Sequence, residues 1–405
     1  MKHLEFPLET KYSALASSVM REKPALVLYG IASLGKALFD ILVDYGFSIS
    51  LILDGNPKLH GTSYKGVKIA KPETFNDRDA VTVICSNGFY DEMEAFIRAR
   101  GAAKILPFYF PFLGKSVDKS NIYFFDTAIY EDAALAPHYN DDTKLYFKTI
   151  DLTITEKCTL RCKNCCNHIQ YFKTPKHACF DETSASLDIL FNTIDHCTKM
   201  HILGGEPFCN PELSRYLYAL QKYKNLFYIE VFSNGTVFPD SDTITALKET
   251  GALVKISDYG AQGQKSGAVQ ELLSENGVAA WTVRYEQWPT VNKLGFFNRG
   301  GEENRRLFEK CAIHNIWTLA GGKLWRCPAA SNAAKLGALP VRCNEYAQIF
   351  NNGASTAFLR KDITELRRLK FLKACDYCGT LAFQESAPLK AGEQIDAPLE
   401  YTMYG

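Results

Sequence analysis

Four cysteines fall within nine residues, Cys158–Cys166, in the stretch CTLRCKNCC. Thiolates are soft ligands, suited to zinc or to iron–sulfur clusters. Cys158, Cys162 and Cys165 are spaced so that each can bind a different iron on one face of a cubane. The fourth iron would then lack a protein ligand and stay open to a small molecule, as catalytic metal sites do. Cys166 lies outside that spacing, and an adjacent cysteine does not easily reach the same face, so it is the spare thiol. Two other readings stay open at this point. One is a zinc site completed by Cys166 or His168, which fits poorly because zinc prefers pairs facing pairs. The other is a set of inert buried cysteines.

The elements around the loop place it at a strand end. IDLTIT (150–155) reads as a strand with Ile150, Leu152 and Ile154 on one face. MHILGGEPFCNPELSRYLYAL reads as a strand (200–203), a Gly204-Gly205-Glu206-Pro207 turn and a helix, with Asn210 as N-cap and Pro211 at the first helical position. Paired glycines at a strand end let backbone approach a ligand, and Glu206 offers an acceptor suited to an ammonium group. Strand C-termini are where α/β barrels build their sites.

These two motifs, in this order, resemble those of the radical S-adenosylmethionine (SAM) superfamily, whose cluster motif is C-x3-C-x2-C and whose SAM motif is GGEP. The resemblance continues in YIEVFSNGT (228–236), with Asn234-Gly235, in LVKISDYG (253–260), with Ser257 and Asp258, and in AWTVRYE (280–286). It implies a partial (β/α)6 barrel over 148–305. It further implies a [4Fe–4S] cluster on Cys158, Cys162 and Cys165, and SAM held by Gly204, Gly205, Glu206, Pro207, Asn234, Ser257 and Asp258. The activity so implied is reductive cleavage of SAM to methionine and a 5′-deoxyadenosyl radical, which takes a hydrogen atom from substrate. A flavodoxin- or ferredoxin-type electron donor would supply the electron. Asn164 departs from the family, which usually has an aromatic residue before the third cysteine.

A second cysteine set follows. IWTLAGGKLWRC reads as a β-hairpin turning at Gly321-Gly322, with Cys311 before it and Cys327 after it. KACDYCGT adds Cys375 and Cys378. Four thiolates close a site completely, for zinc or for iron–sulfur. Cys311, Gly322, Cys327, Cys375 and Cys378 resemble the pattern of the twitch domain found behind radical SAM barrels. That resemblance implies one auxiliary [4Fe–4S] cluster within 306–383, able to support oxidation of a substrate radical; without a returned electron, epimerisation is the other outcome. Of the remaining cysteines, Cys85, Cys179, Cys197 and Cys343 read as small buried residues. Cys209, just past the SAM loop, reads either as one more such residue or as a thiol able to donate a hydrogen atom. His168 and His177 read as structural or surface residues.

The N-terminal third alternates strands and helices, which argues for a parallel sheet. Gly30 and Gly35 stand at the first and third positions of a dinucleotide fingerprint, but Ala32 replaces the second glycine. Asp54 sits where a ribose-binding acid would. A nucleotide site, with phosphate at the helix N-terminus after Ser33, and a doubly wound domain without nucleotide are both open. Residues 24–112 resemble the small Rossmann-like domains fused to sugar-modifying enzymes and acyltransferases.

The expected architecture is therefore α/β throughout. It comprises a Rossmann-like domain (1–112), a connector (113–147) of short helical pieces interrupted at Pro137, the barrel (148–305), the cluster domain (306–383) and a tail (384–405) with no assigned role. The substrate expected is a small molecule, a carbohydrate or nucleotide-linked sugar; the aromatic and arginine-rich loop 284–306 at the barrel mouth reads either as a surface that stacks on a sugar or pairs with phosphate, or as an ordinary solvated connector. The alternatives are a peptide (RiPP-type) maturase and a non-catalytic iron–sulfur or SAM-responsive binding protein. Net charge is +1 with no basic run, which gives no electrostatic footprint for nucleic acid or membrane. No apolar run reaches membrane-span length and no signal-peptide core opens the chain, so the expected location is the cytoplasm. Thirteen clustered cysteines there point to metal rather than disulfides.

Overall fold

The computed structural model describes residues 3–7, 10–86, 89–118, 124–139, 141, 143–288, 293–311, 313–343, 345–350, 353–379 and 389–404. The chain divides into two compact units, Met1–His138 and Tyr139–Gly405.

The first unit is built on β1 (Leu26–Tyr29), β2 (Ile49–Leu53), β3 (Ser63–Tyr64), β4 (Val67–Ala70), β5 (Val81–Ile84) and β6 (Lys104–Pro107). Their order in the sheet is β3-β4-β2-β1-β5-β6, with every pairing parallel except β3 with β4. The central strands β1 and β5 are buried at every position, as a sheet covered on both faces requires. Helix α1 (Ser33–Asp44) follows β1 directly. Gly30 has φ +101°, and a Cβ on Gly35 would overlap the Gly30 carbonyl oxygen, so close helix–strand packing needs both glycines. Asp54 spends its carboxylate locally. Oδ2 accepts from the Ile31 amide and Oδ1 from the Asn56 amide, each at 2.8 Å. The connector holds a short strand (Ser116–Asp118) and one helix, α2 (Phe124–Tyr139), instead of short interrupted helical pieces. Its residues 119–123 lie outside the described residues.

The second unit carries β7 (Tyr146–Thr155), β8 (His196–Gly204), β9 (Leu226–Ser233), β10 (Leu253–Asp258) and β11 (Ala280–Arg284), then a two-residue strand β12 (Gln287–Trp288). Next come β13 (Trp317–Ala320), β14 (Lys323–Trp325) and β15 (Tyr346–Gln348), and finally β16 (Leu389–Lys390). The large sheet runs β11-β10-β9-β8-β7-β13-β14-β15. Strands β7 to β11 are parallel neighbours, and helices between them cover one face. Ile150, Leu152 and Ile154 of β7 and Met200 and Ile202 of β8 bury against those helices. The alternate residues, among them Asp151, His201, Glu230 and Ser257, therefore face the other way.

Six β/α repeats were expected, and five parallel strands are observed among the described residues between 146 and 284. The strand beyond β7 is β13, parallel to it and drawn from the C-terminal hairpin. The hairpin thus shares one continuous sheet with the strands that carry the first cysteine loop. β12 pairs with β16 of the tail and not with β11. Part of the loop 284–306, residues 289–292, lies outside the described residues, as do 380–388.

Candidate functional site

β7 ends at Thr155 and delivers the cysteine loop. β8 ends at Gly204, and its loop folds onto the same backbone. The Gly205 amide donates to the Thr155 carbonyl and the Glu206 amide to the Lys157 carbonyl, each at 2.8 Å. Gly204 has φ +138°. A Cβ on Gly204 would overlap Thr155 oxygen, and one on Gly205 would overlap Lys157 oxygen. The glycine pair was expected to admit a ligand. It admits the cysteine loop's own backbone, and so fixes the two motifs against each other.

A cavity of about 280 Å³ opens at these strand ends. Cys158, Cys162, Cys165 and Cys166 line it, with Gly204, Gly205, Asn234 and Ser257 opposite. Glu206, Pro207 and Asp258, assigned to SAM from the sequence, do not line it. Glu206 is 0% exposed; its Oε1 accepts from the Phe208 amide and its Oε2 from the Asn234 amide at 2.6 Å. Its carboxylate is a buried clamp between the β8 and β9 loops and not an ammonium acceptor. Burial pushes its pKa up to about 7, against the pull of those amide hydrogen bonds. Asp258 pairs with Arg284 at 2.8 Å and caps the Gly260 amide.

The cysteine sulfurs have protein partners. Asn234 Nδ2 donates to Cys158 Sγ at 3.4 Å, and Gln394 Nε2 donates to Cys162 Sγ at 3.1 Å. Burial raises the Cys158 thiol well above its ordinary range and Cys162 to about 11. Cys165 moves the other way, to about 7, because the Cys166 thiol hydrogen-bonds to it. Thiols so buried ionise readily only when a metal takes the charge.

Several cavity residues had no signal in the sequence. Asp151 and His201 line its floor, and Tyr259 and Trp288 line its wall with ring centroids 5.1 Å apart. The cavity-facing spare thiol is Cys166; Cys209 is half-buried and does not line the cavity, so hydrogen-atom donation from Cys209 loses its geometric basis. Asn210 caps no helix directly. Its helix starts at Leu213, while Asn210 Nδ2 donates to the Ile154 carbonyl at 2.9 Å. Cys179, expected buried, is exposed. The tail, assigned no role, straps the cysteine loop. Besides Gln394, the Lys163 amide donates to Glu393 oxygen and the Ile395 amide to Arg161 oxygen.

The second cysteine set meets as the spacing implied. Cys311, Cys327, Cys375 and Cys378 line a small cavity of about 40 Å³, otherwise walled mainly by Leu307, Phe308, Ala330 and Leu372. Hairpin residues Gly321 and Gly322, at φ +54° and +66°, make the turn that returns β14 to Cys327. Arg299 pins the other pair, donating through Nη1 to the carbonyls of Cys375 (2.9 Å) and Cys378 (3.0 Å). Arg326, 5% exposed, donates to the His314 carbonyl and leaves Nε without a partner. Burial raises Cys311 and Cys375, and brings Cys327 to about 12. Among the described residues no three His, Cys, Asp or Glu side chains stand close enough to share a single metal ion. Each cysteine set surrounds a space, as the ligands of a multi-iron cluster do.

No family model matches the sequence, and no curated protein does. Solved structures give slight likenesses. The chain is similar to BtrN in complex with AdoMet and 2-DOIA at 16% identity, over 62% of this chain and 98% of that one, with a TM-score of 0.37. It is similar to anSMEcpe with bound AdoMet at 14% identity, over 60% and 93%, with a TM-score of 0.38. It is similar to Streptococcus suis SuiB bound to S-adenosylmethionine at 13% identity, over 69% and 57%, with a TM-score of 0.30. With every TM-score below 0.5, none of these likenesses fixes fold or function. Among the described residues no helix is long and apolar enough to cross a membrane.

Proposed function

We propose that the chain is a radical SAM enzyme. One observation carries the reading: Cys158, Cys162 and Cys165 share a single cavity with the Gly204-Gly205 strand end, Asn234 and Ser257. Cys158, Cys162 and Cys165 would hold a [4Fe–4S] cluster, which with SAM bound in the same cavity would supply reductive cleavage of SAM to a 5′-deoxyadenosyl radical. The protein's own residues do the positioning. Asn234 and Gln394 orient two of the sulfurs, and the clamped Glu206 holds the β8 and β9 loops in register. Tyr259 and Trp288 offer aromatic surface for a purine. The largely apolar wall excludes water from a reactive intermediate.

The second set fits an auxiliary [4Fe–4S] cluster closed by Cys311, Cys327, Cys375 and Cys378, with buried Arg326 beside it as a positive charge. The substrate in this reading is a carbohydrate or nucleotide-linked sugar, oxidised or epimerised, and the electron donor a flavodoxin or ferredoxin type. The mostly parallel N-terminal sheet, of the kind that accompanies sugar-modifying enzymes, supports that class.

Anaerobic reconstitution with iron and sulfide, then assay of 5′-deoxyadenosine with SAM and a strong reductant, tests the reading. The expected result is iron–sulfur absorbance and product in the wild type, with product abolished in Cys158→Ala, Cys162→Ala and Cys165→Ala. Zinc in both sites with no iron–sulfur absorbance would overturn it.

A further inference from the structure

The cavity floor carries a group that the radical chemistry does not use. His201 lies between two acids of neighbouring strands. Its Nδ1 donates to Asp151 Oδ1 at 3.0 Å and its Nε2 to Glu230 Oε2 at 3.2 Å. Asp151 is 4% and Glu230 7% exposed. Both ring nitrogens face carboxylates, so both carry hydrogen and the ring is an imidazolium. Burial works against that charge, but the two carboxylates win and raise the His201 pKa. Burial also raises the Asp151 carboxyl, against the pull of the His201 hydrogen bond; with both acids ionised and the ring protonated, the three side chains carry one net negative charge.

Asp151 Oδ1 is taken by His201, while among the described residues Oδ2 has no hydrogen-bond partner and is not sealed from the cavity that Asp151 lines. Among the described residues no lysine or arginine lines that cavity. Two inward lysines stand nearby in the sheet, Lys199 two residues before His201 on the same strand face and Lys255 5.1 Å over the Phe232 ring, and neither is part of the lining. An anionic group on this floor would meet two carboxylates around one imidazolium, with no cation among the described lining residues to offset them. A protonated amine or a hydroxyl would meet an open, charged acceptor in a largely apolar setting, where such hydrogen bonds are strongest.

We propose that Asp151, fixed by His201 and Glu230, is the substrate-recognition pole of the cavity, and that it accepts a hydrogen bond from the protonated amine of an amino-bearing polyol. This deepens the carbohydrate reading and rests on it. Asp151 is the contact residue; His201 and Glu230 are positioning residues. The reacting end of the substrate is then cationic or neutral, and any phosphate or carboxylate it bears lies away from the floor.

Anaerobic calorimetry on the reconstituted chain with SAM bound, using glucosamine and glucuronate as probes, is the test. A SAM-induced change in the EPR spectrum of the reduced cluster is recorded on the same samples. Glucosamine is expected to bind the wild type, Asp151→Asn to weaken it roughly 10–100-fold, and Glu230→Gln to weaken it less; glucuronate is expected not to bind. SAM must perturb the EPR signal in all three proteins, which shows each variant folded and loaded. If that perturbation is present, the proposal alone is overturned by wild type that ignores glucosamine, by Asp151→Asn that binds it unchanged, or by preference for glucuronate. If SAM leaves the wild-type signal untouched, the radical SAM reading fails and takes the proposal with it.

Discussion

The two cysteine sites differ in what surrounds the sulfurs. The first is a cavity of about 280 Å³ whose walls include strand ends, backbone and polar side chains. The second is about 40 Å³, and His314 is its only polar lining residue besides the thiols among the described residues. Three spaced cysteines leave space that a ligand can fill, whereas four converging cysteines fill their own. The protein supports the two sites differently as well. At the first, Asn234 and Gln394 touch sulfur directly. At the second, Arg299 holds carbonyls of the ligand loop and buried Arg326 stands beside it. On the proposed reading, the open site has donors at its sulfurs, which tune reactivity, and the closed one has donors at its backbone, which hold the loop in place.

The largest contrast is expected on removing one ligand from the closed site. Cys375→Ala should lower bound iron by about half, since each cubane holds about four irons, yet leave SAM cleavage in the absence of substrate close to wild type. Substrate turnover should be lost. Iron analysis and 5′-deoxyadenosine assay on the same preparation read both. If cleavage collapses together with the iron, the two sites are not independent and the division into open and closed roles is wrong.

A smaller effect separates the sites by pH. Glu206 is a buried acid of the open site, and no carboxylate lines the closed one among the described residues. Its folded pKa, about 7, lies above its ordinary 4.5. Its contribution to stability is therefore full below the unfolded value and is lost as pH rises through about 7. Glu206→Gln has no charge to bury. Relative to wild type it should gain roughly 2–3 kcal/mol between pH 5 and pH 8. Urea unfolding at the two pH values checks this; a gap that does not change with pH means Glu206 is not protonated on folding.

The same division explains what was legible in the sequence. That each cysteine set would gather in one place was readable from spacing: Cys158, Cys162 and Cys165 on one loop, Cys375 with Cys378 on another. The parallel strands were readable from alternation and apolar runs. The roles of individual site residues were less so. Glu206 sits in a conspicuous motif, but only the fold shows both its oxygens taken by amides. Asp151, His201 and Glu230 lie 29 to 79 residues apart on three strands. Their inward side was implied by period-two alternation, but the register that lines them up was not. The swap of a sixth barrel strand for hairpin strand β13 depends on long-range pairing, which no local pattern reports.

The tail offers the finest distinction between the sites. Gln394 reaches Cys162 from 232 residues away, and its Nε2 donates to the sulfur at 3.1 Å while also donating to the Gly392 carbonyl at 2.7 Å. Its Oε1 accepts from the Arg161 amide at 2.8 Å, so the side chain cannot drift from the loop. An N–H donor at a ligating sulfur stabilises the more negative, reduced cluster and raises its potential. Gln394→Ala should therefore lower the midpoint of the open-site cluster, leave the closed-site cluster unmoved and keep the iron content at wild-type level. The stability loss should be small, about 1 kcal/mol for the hydrogen bonds removed. EPR-monitored redox titration resolves the two clusters in one experiment. Equal shifts at both sites would show that the tail acts through the general field of the unit; a shift at the open site alone would show that it acts through the Cys162 sulfur.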